Sequence, residues 1–337
     1  MTQRSSKNGR LTAFLCLALA ALLFTGTVWF LSDSPKEFWD AMDRVSGALE
    51  GSSSPSSSGK GPGPASSGGL APEDPLPEGS TRVHIIDVGQ ALCVLIQGPE
   101  KNVLIDGGEN DTAQATAAYL REQGVEELDW VFNTHPHYDH FGGLRNIMKE
   151  IPAREYITPG LPQDMVPTVV SYEKLLDYLA ESGTPVKKAK AGTAYELGGD
   201  AVLTVLAPVK KYDDLNNWSI VLRLDCGETS FLITGDIENK AERDILESGA
   251  ELKSDVLVLP HHGSSTSILR DFVQEVDPRY GVISCGKGND YGHPHKETLE
   301  LYEKLATQLL RTDESGTVVF ETDGISLEYY TYLPDAA

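Results

Sequence analysis

Past residue 80 the chain is built of short apolar runs, most of which stop at a small cluster of polar residues. Residues 82–87, 91–97 and 102–105 are rich in β-branched and aliphatic side chains, and each has the length of a strand. The third ends in Asp106-Gly107-Gly108. Residues 111–123 have helical spacing, 128–132 are again strand-like, and 143–149 and 171–182 read as helices. Strands are predicted at 201–207, 219–224 and 230–233, the last running into Thr234-Gly235-Asp236. A helix at 241–248 precedes a strand at 255–259, which ends in Pro260-His261-His262-Gly263. Residues 268–275, 280–284, 296–307 and 317–321 continue the alternation. Strands come first, then strands and helices mix. That order predicts sheets covered by helices, with polar chemistry collected along one rim.

The N-terminal quarter has a different pattern. Residues 11–31 carry no charge and follow Lys7 and Arg10. As a helix they would reach about 31 Å, enough to cross a hydrocarbon core. Bases before the run and Asp33, Glu37 and Asp40 after it place the N-terminus inside and the bulk outside. The run is longer than a usual signal-peptide core and lacks a clear A-x-A exit, so an uncleaved anchor is expected, with secretion after cleavage as the alternative. Residues 51–69 are Ser/Gly/Pro-rich and cannot bury apolar surface. The expected organisation is a basic cytoplasmic tail at 1–10, an anchor or signal at 11–31, a flexible linker at 32–79 and a folded domain at 80–337.

Composition narrows the function classes. Net charge is −22, and residues 1–31 contribute Arg4, Lys7 and Arg10 with no acid, so the rest is more acidic still. Such a domain lacks the basic footprint of a stable nucleic-acid binder. Phosphodiester cleavage remains open, because bound metal ions can supply local positive charge. The four cysteines, at 16, 93, 226 and 285, form no metal-finger spacing and read as free thiols, those beyond Cys16 buried.

The chain holds eight histidines, and seven fall in three clusters: His135, His137 and His140 around Asp139, then His261-His262, then His293 and His295. Only His84 stands apart. H-x-H-x-D-H directly after an apolar run can aim several imidazoles and a carboxylate at one point, a donor set suited to zinc or manganese. Asp236, at the end of another apolar run, is well placed to bridge two such ions.

This series of motifs resembles the metallo-β-lactamase superfamily, and within it the extracytoplasmic hydrolase domain of ComEC-type competence (DNA-uptake) proteins and their stand-alone relatives. The resemblance spans about residues 81–325. It rests on Asp87-Val88-Gly89-Gln90, Asp106-Gly107-Gly108, the H-x-H-x-D-H with Gly142-Gly143, Asn216-Asn217-Trp218-Ser219, Thr234-Gly235-Asp236, Pro260-His261-His262-Gly263 and Tyr291-Gly292-His293-Pro294. It implies an α+β four-layer αββα sandwich and two divalent metal ions, Zn or Mn. His135 and His137 would hold the first ion, Asp139 and His140 the second together with one histidine of the His261-His262 pair, His262 by preference, and Asp236 would bridge. Asp139 also counts among the catalytic residues, with His261 facing the substrate and His293 donating to a phosphate oxygen or leaving group. Asn217 and Ser219 are candidates for a weak ligand or a substrate contact. Asp87 and Asp106 are expected to shape loops or hold ligands in place. Two departures stand out: D-V-G-Q continues with Ala91-Leu92 where the family has Gly-Asp, and no histidine lies between His140 and His261.

The expected function is a membrane-tethered, outward-facing phosphodiesterase or nuclease using a metal-bound hydroxide, which forms at neutral pH because the ion lowers the pKa of its water. A small phosphodiester or a nucleic acid would be the substrate, with no stable nucleic-acid binding and no obligate protein partner. The alternatives are an ester or lactone hydrolase of the same fold, or a surface binding protein with a vestigial metal site.

Overall fold

Two sheets face each other in the computed structural model, which describes residues 76–332. The expected tail, anchor and linker up to residue 75, with Cys16, lie outside the described residues. Among the described residues no helix is long and apolar enough to cross a membrane.

The first sheet takes β1 (Thr81–Ile85), β2 (Val94–Gln97), β3 (Asn102–Ile105), β4 (Trp130–Phe132), β5 (Tyr156–Thr158) and β6 (Val186–Lys188), with β14 (Thr317–Thr322) and β15 (Leu327–Tyr332) returning beside β1 in the order β15-β14-β1-β2-β3-β4-β5-β6. The second takes β7 (Ala194–Gly198), β8 (Ala201–Ala207), β9 (Val221–Cys226), β10 (Thr229–Ile233), β11 (Val256–Val258), β12 (Tyr280–Ile283) and β13 (Gln308–Arg311), in reverse spatial order. Each sheet begins antiparallel and turns parallel, from β3 to β6 in the first and from β10 to β13 in the second. In parallel sheets the C-terminal strand ends are where loops can converge on a ligand.

Period-two alternation assigns the faces. Val94, Ile96, Val103, Ile105 and Phe132 point into the space between the sheets and meet Leu203, Val205, Leu222, Leu224, Phe231 and Val258 from the other side. The alternate residues Leu95, Leu104, Val131 and Tyr156 point outward, under helices α1 (Ala113–Glu122), α3 (Leu144–Glu150) and α4 (Val170–Ser182). A one-turn helix, α2 (Tyr138–Phe141), precedes α3. On the second sheet Leu232, Leu257 and Ile283 lie under α5 (Asn239–Ser248), α6 (Arg270–Val276) and α7 (Lys296–Lys304), and a last short turn is α8 (Thr312–Ser315). The four layers are the expected αββα sandwich. Burying a Phe or Leu side chain contributes roughly 1.5–3 kcal/mol, so three separate apolar layers fix both sheet faces at once.

The structure departs from the sequence reading at β5, β6, β7, β13 and β15, which were not expected. β6 is a three-residue edge strand, Val-Lys-Lys, exposed throughout, so no face pattern marks it. β13 falls where the predicted helix 296–307 was to end. The helix stops at Lys304, and Ala306 takes a φ of 59° in the turn to β13. Cys93, Cys226 and Cys285 are free and buried, as composition implied.

Candidate metal centre

The rim forms where residues after β3 and β4 of one sheet approach residues after β10, β11 and β12 of the other. Its anchor is Asp106, fully buried, at the end of β3 with a φ of 58°. This carboxylate accepts from the Thr134 amide at 2.8 Å, Thr134 Oγ1 at 2.6 Å, Asn133 Nδ2 at 3.1 Å and His140 Nδ1 at 2.8 Å. Four donors on one buried carboxylate fix the loop after β4 and the ring of His140 together. The glycine pair that follows is a steric requirement. A Cβ at Gly142 would sit 2.5 Å from the Tyr138 carbonyl, and one at Gly143 would run into the backbone of Gly107.

With Nδ1 of His140 donating to Asp106, its Nε2 faces the site, 3.2 Å from Asp236 Oδ1 and 3.8 Å from Asp139 Oδ2. His262 is turned the same way from the opposite sheet. Its Nδ1 donates to the Ser284 carbonyl at 2.9 Å, leaving Nε2 at 3.3 Å from Asp139 and 3.6 Å from Asp236 Oδ2. One donor atom from each of Asp139, His140, Asp236 and His262 falls within a 4.8 Å cluster. Three polar atoms of these residues, His140 Nε2, Asp236 Oδ1 and His262 Nε2, are buried and make no well-formed hydrogen bond, facing only one another and Asp139 across the cluster. A buried polar atom left unpaired costs about 1–3 kcal/mol, and three in one cluster of imidazole and carboxylate match a divalent cation's requirements. The residues fit such an ion.

The other half of the site is arranged differently. His135 Nε2 lies 2.9 Å from His137 Nδ1, so one of the two nitrogens donates to the other, and 3.9 Å from Asp236 Oδ2. Asp236 thus borders both halves, with one oxygen toward His140 and the other toward His135 and His262. Electrostatics follow the burial. Burial opposes a positive charge on His140, but Asp236, Asp106 and Asp139 outweigh it and hold its pKa well above the ordinary value. Burial also opposes ionisation of Asp139 and Asp236, and His140, foremost among the neighbours, overturns it and keeps both acids below the usual range. Burial, with His140 and His137 close by, holds His135 well below its ordinary pKa.

The adjacent histidines of the pair separate in role. His261 and His262 both have positive φ, 50° and 54°, an arrangement that costs energy and concentrates at functional sites. His262 is buried and aimed at the carboxylates, whereas His261 is partly exposed, 3.9 Å from Asp236 through Nε2, with Nδ1 near Thr266 Oγ1 and Glu238. His293 lies beside both, its ring stacked 6.3 Å from that of His262. Burial, then the neighbouring His262 and His261, push its pKa down to about 3.

Asn217 and Ser219, expected as weak ligands or substrate contacts, are otherwise engaged. Asn217 Oδ1 accepts from the amides of Glu238 and Ala241, and its Nδ2 donates to Asp214, so the whole amide is spent on holding the start of α5. Ser219 Oγ accepts from the Asp236 amide at 3.0 Å and contacts His135 at Nδ1, the nitrogen turned away from Asp236. It braces two site residues from behind. Ala91 and Leu92, at the departure from the family pattern, are buried in the apolar layers. Asp87 is exposed and caps the turn at Gly89. His84 is a core histidine bonded to Tyr119 and Gln97, and His295 clamps the 265 and 291 loops. Sequence reasoning missed Glu238, Ser284 and Gln90 as partners of His261, His262 and His293. Gln90 alone had a signal, its place in D-V-G-Q.

The family model described as metallo-beta-lactamase superfamily matches residues 86–287. ComE operon protein 3 of Bacillus subtilis (strain 168) is 29% identical over 261 residues, covering 71% of this chain and 32% of that protein. Competence protein ComA of Neisseria gonorrhoeae is 32% identical over 247 residues, covering 73% and 33%. The chain therefore spans about a third of the length of these curated relatives. The crystal structure of the metallo-beta-lactamase fold protein YhfI from Bacillus subtilis superposes with a TM-score of 0.48 at 11% identity, over 73% of this chain and 100% of that one. A family match across residues 86–287, from the residue after β1 to the loop after β12, places this chain in the metallo-beta-lactamase superfamily of metallo-hydrolase folds, among competence-related, ComEC-like relatives.

Proposed function

We propose that this chain is a membrane-tethered, extracytoplasmic phosphodiesterase or nuclease that works with two divalent ions, zinc or manganese. The observation that carries the reading is the convergence from two sheets of the buried atoms His140 Nε2, Asp236 Oδ1 and His262 Nε2, none of which makes a well-formed hydrogen bond. His135 and His137 would complete a first ion's ligands, Asp139, His140 and His262 a second's, with Asp236 between them. Divalent ions so held supply Lewis acidity toward a phosphoryl oxygen and make water nucleophilic at neutral pH.

The chain's own residues prepare this chemistry. Asp106 and the Ser284 carbonyl each accept a hydrogen bond from an Nδ1–H, which turns Nε2 of His140 and of His262 toward the place a cation would take. Asp139 and Asp236 stay ionised in spite of burial. His135 Nε2 and His137 Nδ1, now 2.9 Å apart, would each turn a lone pair to an ion, with the ring proton on the opposite nitrogen. His293 and His261 line the edge where a substrate oxygen would sit. The competence-related relatives support a phosphodiester over a carboxylic ester. The charge-free run 11–31 between Lys7 and Asp33 supports a tether with the domain outside.

The test is metal analysis of the purified full-length protein with turnover of bis(p-nitrophenyl) phosphate under zinc and under manganese. About two ions per chain and diester cleavage that stops with Asp139→Ala are expected. Bound metal with no diester turnover, while an ester or lactone is cleaved, would overturn the substrate class.

A further inference from the structure

We propose that Gln90 is a positioning residue that fixes the tautomer of His293, so that the ring presents an Nε2–H donor to an anionic oxygen of the substrate. The identity of that oxygen rests on the phosphodiesterase reading; the tautomer does not.

The Gly286 backbone amide can only donate, and it points at Gln90 Oε1 at 3.0 Å. The carboxamide oxygen is therefore on that side, and reversing the amide would set two donors against each other. Gln90 Nε2 then lies 3.1 Å from His293 Nδ1, and an amide NH2 cannot accept. Nδ1 must be the acceptor, and a neutral imidazole with an accepting Nδ1 carries its proton on Nε2.

The surrounding packing holds this relay in place. A Cβ on Gly286 would lie 2.7 Å from the Gln90 amide nitrogen and 3.2 Å from its Cβ, so only glycine lets the two loops approach. Ser284 Oγ donates to the Ala91 carbonyl at 2.7 Å, tying the end of β12 to the D-V-G-Q loop. Asn289 grips His293 from both backbone sides, accepting from its amide at 3.0 Å and donating to its carbonyl at 2.6 Å. The ring itself is layered between His262, at 6.3 Å and 24°, and Tyr291, at 5.6 Å and 21°. Plane and tautomer are both set before a substrate arrives. A donor fixed in this way can stabilise negative charge as it develops, with no reorganisation at the moment of reaction.

Side-chain ¹⁵N NMR on the full-length protein, with His293→Gln to assign the resonance, reads the tautomer directly. The wild type should show an unprotonated Nδ1 and a protonated Nε2. Gln90→Glu keeps the acceptor for Gly286 but offers His293 only an acceptor, so Nδ1 should become protonated. Gln90→Met keeps the length without either contact and should give a mixture of tautomers. Turnover of bis(p-nitrophenyl) phosphate should fall roughly tenfold or more in kcat for Gln90→Glu, with KM changing less. A wild-type Nδ1–H, or an Nε2–H that survives Gln90→Glu, would overturn the assignment. A reversed tautomer with unchanged kcat would overturn the positioning role. If the wild type cleaves no diester, the substrate reading fails while the NMR comparison still decides what Gln90 does.

Discussion

Asp106 shows how much of this site depends on a residue that would touch no ion. It accepts from Thr134 twice, from Asn133 and from His140, and so joins the backbone after β4 to the orientation of one ligand ring. An amide in its place keeps the shape but puts a donor where His140 Nδ1–H also donates. Asp106→Asn should therefore weaken metal affinity by about 10- to 100-fold, measured by competition with a chromophoric chelator. An affinity equal to wild type would show that His140 is oriented by its packing alone. The expectation that Asp106 shapes loops or holds ligands in place came from its position after a strand, in Asp-Gly-Gly. Which of its oxygens meets which donor was not visible in the sequence, because His140 and Asn133 come from a different strand end.

At the scale of elements, strand ends supply the chemistry and helices hold it still. The turn before α5 carries Asp236, and the side chain of Asn217 secures that helix by accepting from the amides of Glu238 and Ala241. One buried and one half-buried amide would lose their acceptor in Asn217→Ala. The variant should unfold at lower urea concentration, by about 1–2 kcal/mol, while its metal content stays at the wild-type level. Loss of metal without loss of stability would return Asn217 to the ligand set. β8 was legible because burial alternates along its seven residues, and β2 because its apolar side chains meet a layer on each face. The short edge strand β6 was not, since its residues are exposed and its pairing partner Tyr156–Thr158 is itself only three residues long.

For the whole molecule, the site is a cross-link between sheets. His135, His137, Asp139 and His140 follow β4 of the first sheet, and Asp236 and His262 follow β10 and β11 of the second. An ion bound across that seam stabilises the sandwich by mass action, about 3–4 kcal/mol at a few hundred times its dissociation constant. Stripping the protein with a strong chelator should lower Tm by about 5–10 °C, and adding zinc or manganese in excess should restore it. A Tm indifferent to chelator would mean that the sheets are joined by their apolar layer alone.

Sequence alone determined the motifs, their position at the ends of apolar runs, and a fold of sheets under helices, because hydrophobic period and strand-end chemistry are local properties of the chain. It could not determine which atom of each residue faces the site. That is a matter of partners brought in from far along the chain: Asp106 for His140, the Ser284 carbonyl for His262, and Gln90, 203 residues away, for His293. The same long-range contacts turned Asn217 from a candidate ligand into the support of a helix. Ring orientation and tautomer depend on hydrogen bonds closed only when the two sheets meet, and only the tertiary structure decided them.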